Sequence, residues 1–469
     1  MHNLARKIDW HHLAMQGSLF IGVGAVWSYG AVLMLSRGLS NSALGLITCI
    51  AQLLPMLLQP VVAGLTEKYA RLTPRRMILM LGAVVFAAAV VMMAFSSGLW
   101  VIILGFILVA VALNLILPFF NIIMVSYLLR GVEVNYGLGR GVGSGTYALA
   151  TLVLGFVLEG RDPIVLVPVV AVSIALQFVS TLTFRYPLPQ SEQEATEEEE
   201  APLRRAALMK SRPDFTMMMV AAALLIGVHN VTNVYMVHVV TKVGGTERLL
   251  GIILALAAFM EMPAMPLMPK LAKKVGIGKL LVFSAVFFVL RLVLLLAAKE
   301  PLMLYVAAFA QFFSTGMLLP ATVYYAAQVL TPKQQTDGQS MMHLFSNCLG
   351  PAVLSLIVGA IVDWRGIGGA LLFMIGCAIL GMALATYLCR ISGVVLMSFI
   401  PLTPRVRRGL AALPGSIVVA TVLPLIERLG LAAGLALLAA IASMVIRRSE
   451  LLALVTGMVV VSLMRAAGF

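Results

Sequence analysis

Long runs of apolar residues, separated by short polar turns, cover almost the whole chain. A membrane-spanning helix needs about 20 largely apolar residues, and about fifteen runs approach or reach that length. Twelve runs fall near 13–35, 43–63, 77–96, 99–127, 139–158, 163–184, 215–240, 249–268, 280–298, 302–329, 340–362 and 368–389. Shorter runs close the chain near 410–426, 430–446 and 451–466. The pattern predicts an all-α integral membrane protein: a 12-helix (6+6) bundle followed by about three additional C-terminal transmembrane helices.

The composition excludes most soluble classes of protein. Hydrophobic residues make up 61% of the chain and charged residues 11%, against about 45–50% and about 25% in soluble domains. So few charges cannot cover a water-soluble surface, and the lipid bilayer is therefore the expected partner. The four cysteines lie in apolar runs and form no CxxC pair, so we expect neither a disulfide framework nor a metal site, and no cofactor.

The basic residues predict an orientation. With the N-terminus placed in the cytoplasm, most of the lysines and arginines fall in cytoplasmic loops, as the positive-inside rule requires. The net charge of +14 is therefore interpreted as a topology signal, and no nucleic acid partner is expected. We predict a multi-pass protein of the cytoplasmic (inner) membrane.

One polar stretch divides the chain. It contains the acidic run 197–200, and its composition is typical of a solvated linker. Short basic turns recur at corresponding places before and after it, near 63–76 and 269–276, which indicates two parallel halves around a central pathway. The predicted domains are a six-helix bundle (1–185), a cytoplasmic linker (186–212), a second six-helix bundle (213–390) and a helical tail (391–469).

Three charged residues lie inside apolar runs, Arg140 near the start of its run and Glu261 and Arg291 deeper in theirs, and such residues are candidates for function by default, because a buried charge is costly in a membrane. Glu261 precedes Lys270 by nine residues and Arg291 follows Lys279 by twelve, which places them about 13 Å and about 18 Å from the same face. Pairing is therefore feasible. A carboxylate that alternates between ionised and protonated states suits proton coupling, whereas a fixed ion pair would only set helix register. Pro263 predicts a kink in the same run.

Further polar residues occur in apolar runs. His229 and Asn233 are four residues apart and share one helix face, with Asn230 beside them. Polar groups in lipid must find partners, so this stripe either binds substrate or joins helices. Individually weaker candidates for substrate binding are Gln52, Asn121 and Gln311.

Four segments resemble the major facilitator superfamily of transporters, in the branch of lactose permease-like and nucleoside symporter-like members. The first segment is 36–45 with Leu58-Gln59-Pro60 and Glu67-Lys68, where Ala63 and Glu67 replace the usual Gly and Asp of the loop signature. The other segments are 135–144, 244–263 and 337–340 with 363–366. The resemblance carried by these segments extends over residues 1–390.

The resemblance implies a secondary active transporter that moves a small polar organic solute by alternating access, with protons as the expected coupling ion. It implies a gating loop formed by Glu67, Lys68, Arg75 and Arg76. It also implies that Arg140 contacts substrate, although Arg140 is equally well explained as one more positive-inside residue. The His and Glu that lactose permease-like members carry in the tenth span are absent here, which leaves Glu261 as the evident proton site.

The tail resembles a different family. Residues 385–390, 404–408 and 413–414 are similar to the small AzlD-type subunit of branched-chain amino acid exporters, which implies an AzlC-type large subunit as a partner. The alternative is three extra anchoring helices.

No enzyme is expected, because the chain has no HExxH, P-loop or G-x-S-x-G motif. Besides a transporter, the sequence allows a branched-chain amino acid export component acting through the tail, or a membrane assembly protein without transport.

Overall fold

A computed structural model describes residues 2–69, 71–128, 132, 134, 136–186 and 208–399, together with a few isolated positions between 439 and 462. These ranges contain helices and no β-strand. Ten helical stretches of the described residues are long and apolar enough to cross a membrane, and two of them, Pro301–Val329 and Asp337–Tyr387, contain internal breaks. Residues 187–207, which form most of the predicted linker, and almost all of the three tail runs lie outside the described residues.

The chain divides into two compact units, Met1–Ser392 and Gly393–Phe469. Helices of the first unit before the linker are α1 (His2–Ser36), α2 (Asn41–Lys68), α3 (Pro74–Ala94), α4 (Leu99–Leu128), α5 (Tyr136–Leu158) and α6 (Leu166–Thr183). After the linker come α7 (Pro213–Val234), α8 (Met236–Lys242), α9 (Glu247–Glu261), α10 (Ala264–Val275), α11 (Ile277–Ala297), α12 (Pro301–Ala310), α13 (Thr315–Val329), α14 (Pro332–His343) and α15 (Gly350–Phe399). We call α1–α6 the first half and α7–α15, up to Ser392, the second half.

Local sequence explains where several helices begin and turn. The side chain of Ser40 accepts a hydrogen bond from the N–H of Ala43 and caps α2, and Thr73 caps α3 just before Pro74 at its first position. Such caps satisfy N–H groups that have no partner within the helix. Gly276 joins α10 to α11 with φ 89°, a conformation that side chains with a Cβ rarely adopt.

The predicted spans near 249–268 and 302–329 are each two helices. In the first, the break falls at Met262 and Pro263, because Pro263 has no N–H to continue the helical ladder. The predicted kink is therefore observed. The second break, at 311–314, separates α12 from α13 without a proline. Tight i→i−3 turns replace the helical bonds there, including Phe313 N–H donating to the carbonyl of Ala310, and a wider bond from Gly316 N–H to the carbonyl of Gln311 follows.

Two other predicted spans are joined. The runs near 340–362 and 368–389 both reach into α15, whose backbone leaves helical geometry only at Gly366 (φ 69°). The exact count of twelve plus three spans is therefore not confirmed, since short breaks and this kink divide the helices differently from the apolar runs and the three tail runs lie almost wholly outside the described residues. An apolar run reports burial in lipid or protein, and it does not report where the backbone ladder is interrupted.

Candidate functional site

The breaks in the second half bring polar side chains together deep in the protein. Glu261 is the last residue of α9, and Gln311 follows the last residue of α12. The two segments approach closely at Gly316, where an added Cβ would lie 3.3 Å from the Cα of Glu261 and 3.0 Å from the Cβ of Ala264. Interrupted helices at membrane depth are tolerated where they line a cavity or are buried in protein.

Gln311 is the direct partner of the Glu261 carboxylate. Its side-chain Nε2 donates to Oε1 of Glu261 at 2.7 Å, and Gln311 itself is 2% exposed. A hydrogen bond from a neutral amide satisfies one carboxylate oxygen without neutralising its charge. The partly buried Glu261 carboxylate therefore keeps its charge beside a neutral partner.

His229 on α7 lies between Glu261 and Arg291. Its Nδ1 is 3.4 Å from Nη1 of Arg291 and 3.1 Å from Oγ1 of Thr315, and its Nε2 is 3.8 Å from Oε1 of Glu261. Within the described part of the chain Glu261 and Arg291 form no direct ion pair. The predicted meeting of these two charges is therefore indirect, with an imidazole between them.

The donors around His229 define its tautomer. A guanidinium can only donate, so Nδ1 must accept and the ring hydrogen belongs on Nε2, toward Glu261. Nδ2 of Asn233 stands 3.2 Å from that same Nε2. Its Oδ1 has no hydrogen-bond partner among the described atoms. Rotating the Asn233 amide by about 180° would let Oδ1 accept from Nε2–H.

The remaining predicted residues are placed as follows. Asn230 is half-buried on α7, Gln52 is buried on α2 and Asn121 is half-buried on α4. Arg140 lies in the first turns of α5 and Glu67 in the last turn of α2. The side chains of Arg140 and Glu67 lie outside the described residues.

The basic members of the predicted gating loop contact their own half. Arg75 donates to the carbonyls of Thr181 and Leu182 at the end of α6, and Arg76 donates to the carbonyl of Arg71. Nζ of Lys68 lies 5.8 Å from the ring centroid of Tyr69. These bonds satisfy carbonyl groups at a helix end.

Sequence reasoning missed a hydroxyl cluster in the first half, beside the acidic site. Ser28 on α1 bonds to Tyr147 and to Thr151 on α5, at 2.9 and 3.3 Å. The helix α5 packs against α9, and a Cβ at Gly145 would lie 3.9 Å from Cε of Met262, the residue after Glu261, so the first half contributes polar groups near the acidic site. The signal available in the sequence was weak, because isolated hydroxyl residues are common in membrane helices.

The two halves are joined at one end of the bundle, which we call the Asp363 end. Asp363, at the kink of α15, accepts hydrogen bonds from the backbone and side chains of Asn41 and Ser42 in the first turn of α2. A carboxylate there accepts hydrogen bonds from free N–H groups and interacts favourably with the positive end of the helix dipole. His238 adds a 2.6 Å contact between its Nε2 and Oδ1 of Asn41.

A second acidic contact lies at the same end between the other pair of facing helices. Glu159, at the end of α5, accepts a hydrogen bond from the hydroxyl of Thr246 at 3.0 Å, and Thr246 immediately precedes α9. Nη1 of Arg248 is 4.0 Å from the same carboxylate. Each half thus places an acid at the start of a helix belonging to the other half.

Glycines allow the facing helices to touch at this end. A Cβ at Gly251 of α9 would lie 2.8 Å from the Cα of Gly155 on α5. Likewise, a Cβ at Gly45 of α2 would clash with the carbonyl oxygen of Ser355 on α15. Small residues are what permit such close approach of membrane helices.

Burial falls along α2 away from the Asp363 end. Leu44 and Ala51 are buried, whereas Leu57, Val61 and Leu65 near the opposite end, which we call the Lys68 end, are exposed. The halves therefore cover α2 at the Asp363 end and leave it uncovered toward the Lys68 end.

Comparison with known proteins agrees with this architecture. Residues 18–400 match the MFS_1 like family, and residues 375–465 match the branched-chain amino acid transport protein (AzlD) family. A maltose permease of Geobacillus stearothermophilus is 28% identical over 380 residues, covering 79% of this chain and 92% of that protein.

Solved transporters share the fold at low identity. A mutant of the nucleoside transporter NupG has a TM-score of 0.71 at 15% identity, covering 81% of this chain and 99% of its own. A bacterial homologue of the human lysosomal transporter Spinster, in an inward-facing and unoccupied conformation, has a TM-score of 0.64 at 15% identity, covering 82% and 97%. The chain is therefore a multi-pass membrane transporter that belongs to the MFS_1 like family of the major facilitator superfamily, and it carries a C-terminal segment similar to AzlD.

Proposed function

We propose that this protein is a secondary active transporter that moves a small polar organic solute by alternating access, in symport with protons. The observation that carries the proposal is the partly buried Glu261, hydrogen-bonded to Gln311 and separated from Arg291 by His229. An ionised carboxylate is expensive at membrane depth unless it is paired. The free-energy cost of holding this carboxylate ionised is only partly offset by its neighbours, so binding of a proton or a solute at Glu261 is favourable.

Two polar atoms without a partner favour a hydroxyl-rich solute. They are Nε of Arg291 and Oε1 of Gln311, both in the group of side chains around His229. One donates and the other accepts, and a hydroxyl group can serve both kinds of atom. Because the relative with 28% identity is a maltose permease, we propose a saccharide as the first solute to test.

The closed Asp363 end supports alternating access. The positive-inside rule places the Lys68 end in the cytoplasm and the Asp363 end outside. The conformation would then be closed to the outside, through the contacts of Asp363 and Glu159, and open toward the cytoplasm. The N-terminus would be cytoplasmic, in the inner membrane.

The test is flux into proteoliposomes. Purified protein would be reconstituted with and without an imposed pH gradient and offered maltose, then a panel of other sugars, nucleosides and organic acids. We expect the gradient to drive uphill uptake by the wild type. Glu261→Gln keeps the shape of the side chain but cannot ionise, so it should lose the response to the gradient while retaining solute exchange.

The matched control is Glu300→Gln, which makes the same change at an exposed residue before α12 and should behave as wild type. Uphill uptake that survives Glu261→Gln with its pH dependence unchanged would contradict the proton assignment. An absence of flux for every solute in the wild type would contradict the transporter itself and favour a membrane assembly role.

The AzlD match favours a second candidate function, a component of branched-chain amino acid export. It would require a large partner subunit of the AzlC type. Efflux of leucine, isoleucine and valine from cells that produce the full chain with and without such a subunit tests it. Export that depends on the subunit and on residues 391–469, and not on Glu261, would support this alternative.

A further inference from the structure

A π-helical turn interrupts the polypeptide between α14 and α15. It spans Leu344–Leu349, and Pro351 follows one residue after α15 begins. In a regular α-helix the N–H of residue 351 would bond to the carbonyl of Asn347, and proline has no N–H to give. The ladder widens by one residue at this point, as π turns in helices do, often at functional sites.

The extra residue changes which side chain faces α2. Ser355 and Gly359 mark that face: the Ser355 hydroxyl bonds to the carbonyl of Gly45 at 3.3 Å, and a Cβ at Gly359 would meet the carbonyl of Asn41. Two turns before Ser355, a regular α-helix would present Cys348. A turn with one additional residue presents Asn347 instead.

Gln52 occupies the corresponding position on the facing helix. It lies two turns beyond Gly45 on α2, and therefore on the same face as the glycine that contacts Ser355. The π turn and α2 pack against each other. Gln52 and Asn347 are thus the first long polar side chains on these facing helices beyond the closed contacts, one from each half.

Asn347 retains exposed surface at this level. It is half-buried, and its Nδ2 donates to the Ser346 hydroxyl at 3.0 Å and lies 3.3 Å from Nδ1 of His343. The neighbouring Ser346 is in a different environment: it is buried, and its hydroxyl donates to the carbonyl of Met342, one turn earlier. Adjacent residues of the turn therefore face different surroundings.

We propose that Asn347 and Gln52 form a second contact point for the transported solute and help to set its specificity, and that the π turn before Pro351 is what presents Asn347 to the pathway. This inference rests on the proposed transport function. A carboxamide from each half can bond to hydroxyl groups of a polar solute, and both would separate when the Asp363 end opens. Pro351 acts here as a positioning residue.

The first measurement is transport kinetics with maltose, or with whichever panel solute is carried. Asn347→Ala and Gln52→Ala should each raise the KM about tenfold, the loss expected for one hydrogen bond to the solute, with kcat changed less than about twofold. Ser346→Ala, on the adjacent buried position, should leave KM unchanged. An unaltered KM in both variants, in a protein whose wild type transports, overturns this inference without touching the proposed function.

The second measurement needs no solute. Two proteins would each carry a single cysteine, one introduced as Asn347→Cys and the other the native Cys348. A water-soluble thiol reagent should label the cysteine at position 347 faster than Cys348. Pro351→Ala restores the missing N–H, so the turn should return to a regular helix and the order of labelling should reverse. The same order with and without Pro351→Ala would show that the π turn does not select the pathway-facing residue, and would overturn the proposal.

Discussion

Replacing Asp363 with alanine tests whether the Asp363 end is held shut by a carboxylate at the start of α2. The change removes four hydrogen bonds, from the backbone and side chains of Asn41 and Ser42. Loss of a helix-capping side chain costs about 0.5–2 kcal/mol, and Asp363 is exposed, so solvent screens its charge. We take the loss of stability of the closed contact to be about 1–2 kcal/mol, which shifts the ratio of open to closed molecules at this end by about 5- to 30-fold.

The reporter for this shift is a cysteine at Ser355. That residue is 0% exposed and faces Gly45 across the closed contact, so a membrane-impermeant thiol reagent can reach it only when the end opens. In a background without the four native cysteines, Asp363→Ala should accelerate labelling of Ser355→Cys by about the same 5- to 30-fold, since the rate follows the open population when opening is rapid.

A neighbouring acid provides the control. Asp162 binds Arg37 with two bonds of 2.8 and 2.9 Å, at the same end of the bundle but within the first half. Asp162→Ala removes a carboxylate without breaking a contact between halves, and should leave the labelling rate near that of the parent. Equal acceleration by both substitutions, or none by Asp363→Ala, would refute the assignment of Asp363 as a contact that holds the halves together.

Two further substitutions follow from the same structure. Gly251→Leu should prevent α5 and α9 from packing together, since even a Cβ at that position would lie 2.6 Å from the Tyr29 hydroxyl. We therefore expect faster cysteine labelling at the Asp363 end and loss of uphill transport. The control is Gly376→Leu, where an added Cβ has no atom within 4 Å, and it should change neither the labelling nor the transport. Arg291→Met should lower stability in detergent by about 1–3 kcal/mol, because it removes the positive charge nearest to the partly buried Glu261 carboxylate and leaves that group less well compensated. The double variant with Glu261→Gln should recover most of that loss in a thermal or denaturant melt, and a double variant no more stable than the single one would contradict this reasoning.

The membrane helices could be predicted because each depends on a local property of the sequence, a run of apolar residues. The candidate residues of the second half could also be found this way: Glu261, Arg291 and His229 are conspicuous because polar groups in such runs require partners. Their mutual arrangement could not. The depth estimate allowed a direct Glu261–Arg291 pair, whereas packing of α7 between them places an imidazole there.

Other features depend on contacts between residues far apart in the chain. Asp363 is an ordinary loop residue by sequence, and only its approach to Asn41 across the bundle makes it a helix cap. The break at 311–314 has no proline to announce it, and Thr315 looks like one more hydroxyl in an apolar run until it meets His229. Such features arise from tertiary packing, which the periodicity of a single segment does not encode.

The long helix α15 has a consequence for how this protein could have arisen and how it can be dissected. It continues to Phe399, and residues 375–400 are matched by both families at once. The transporter-like part and the AzlD-like part are not separated by a linker at this junction, because the same stretch of helix belongs to both family matches. Severing the polypeptide at residue 375 would deprive the transporter of its final segment, and severing it at 400 would deprive the AzlD-like part of its beginning. Separating the modules therefore requires duplicating this shared stretch, so that each part receives its own copy.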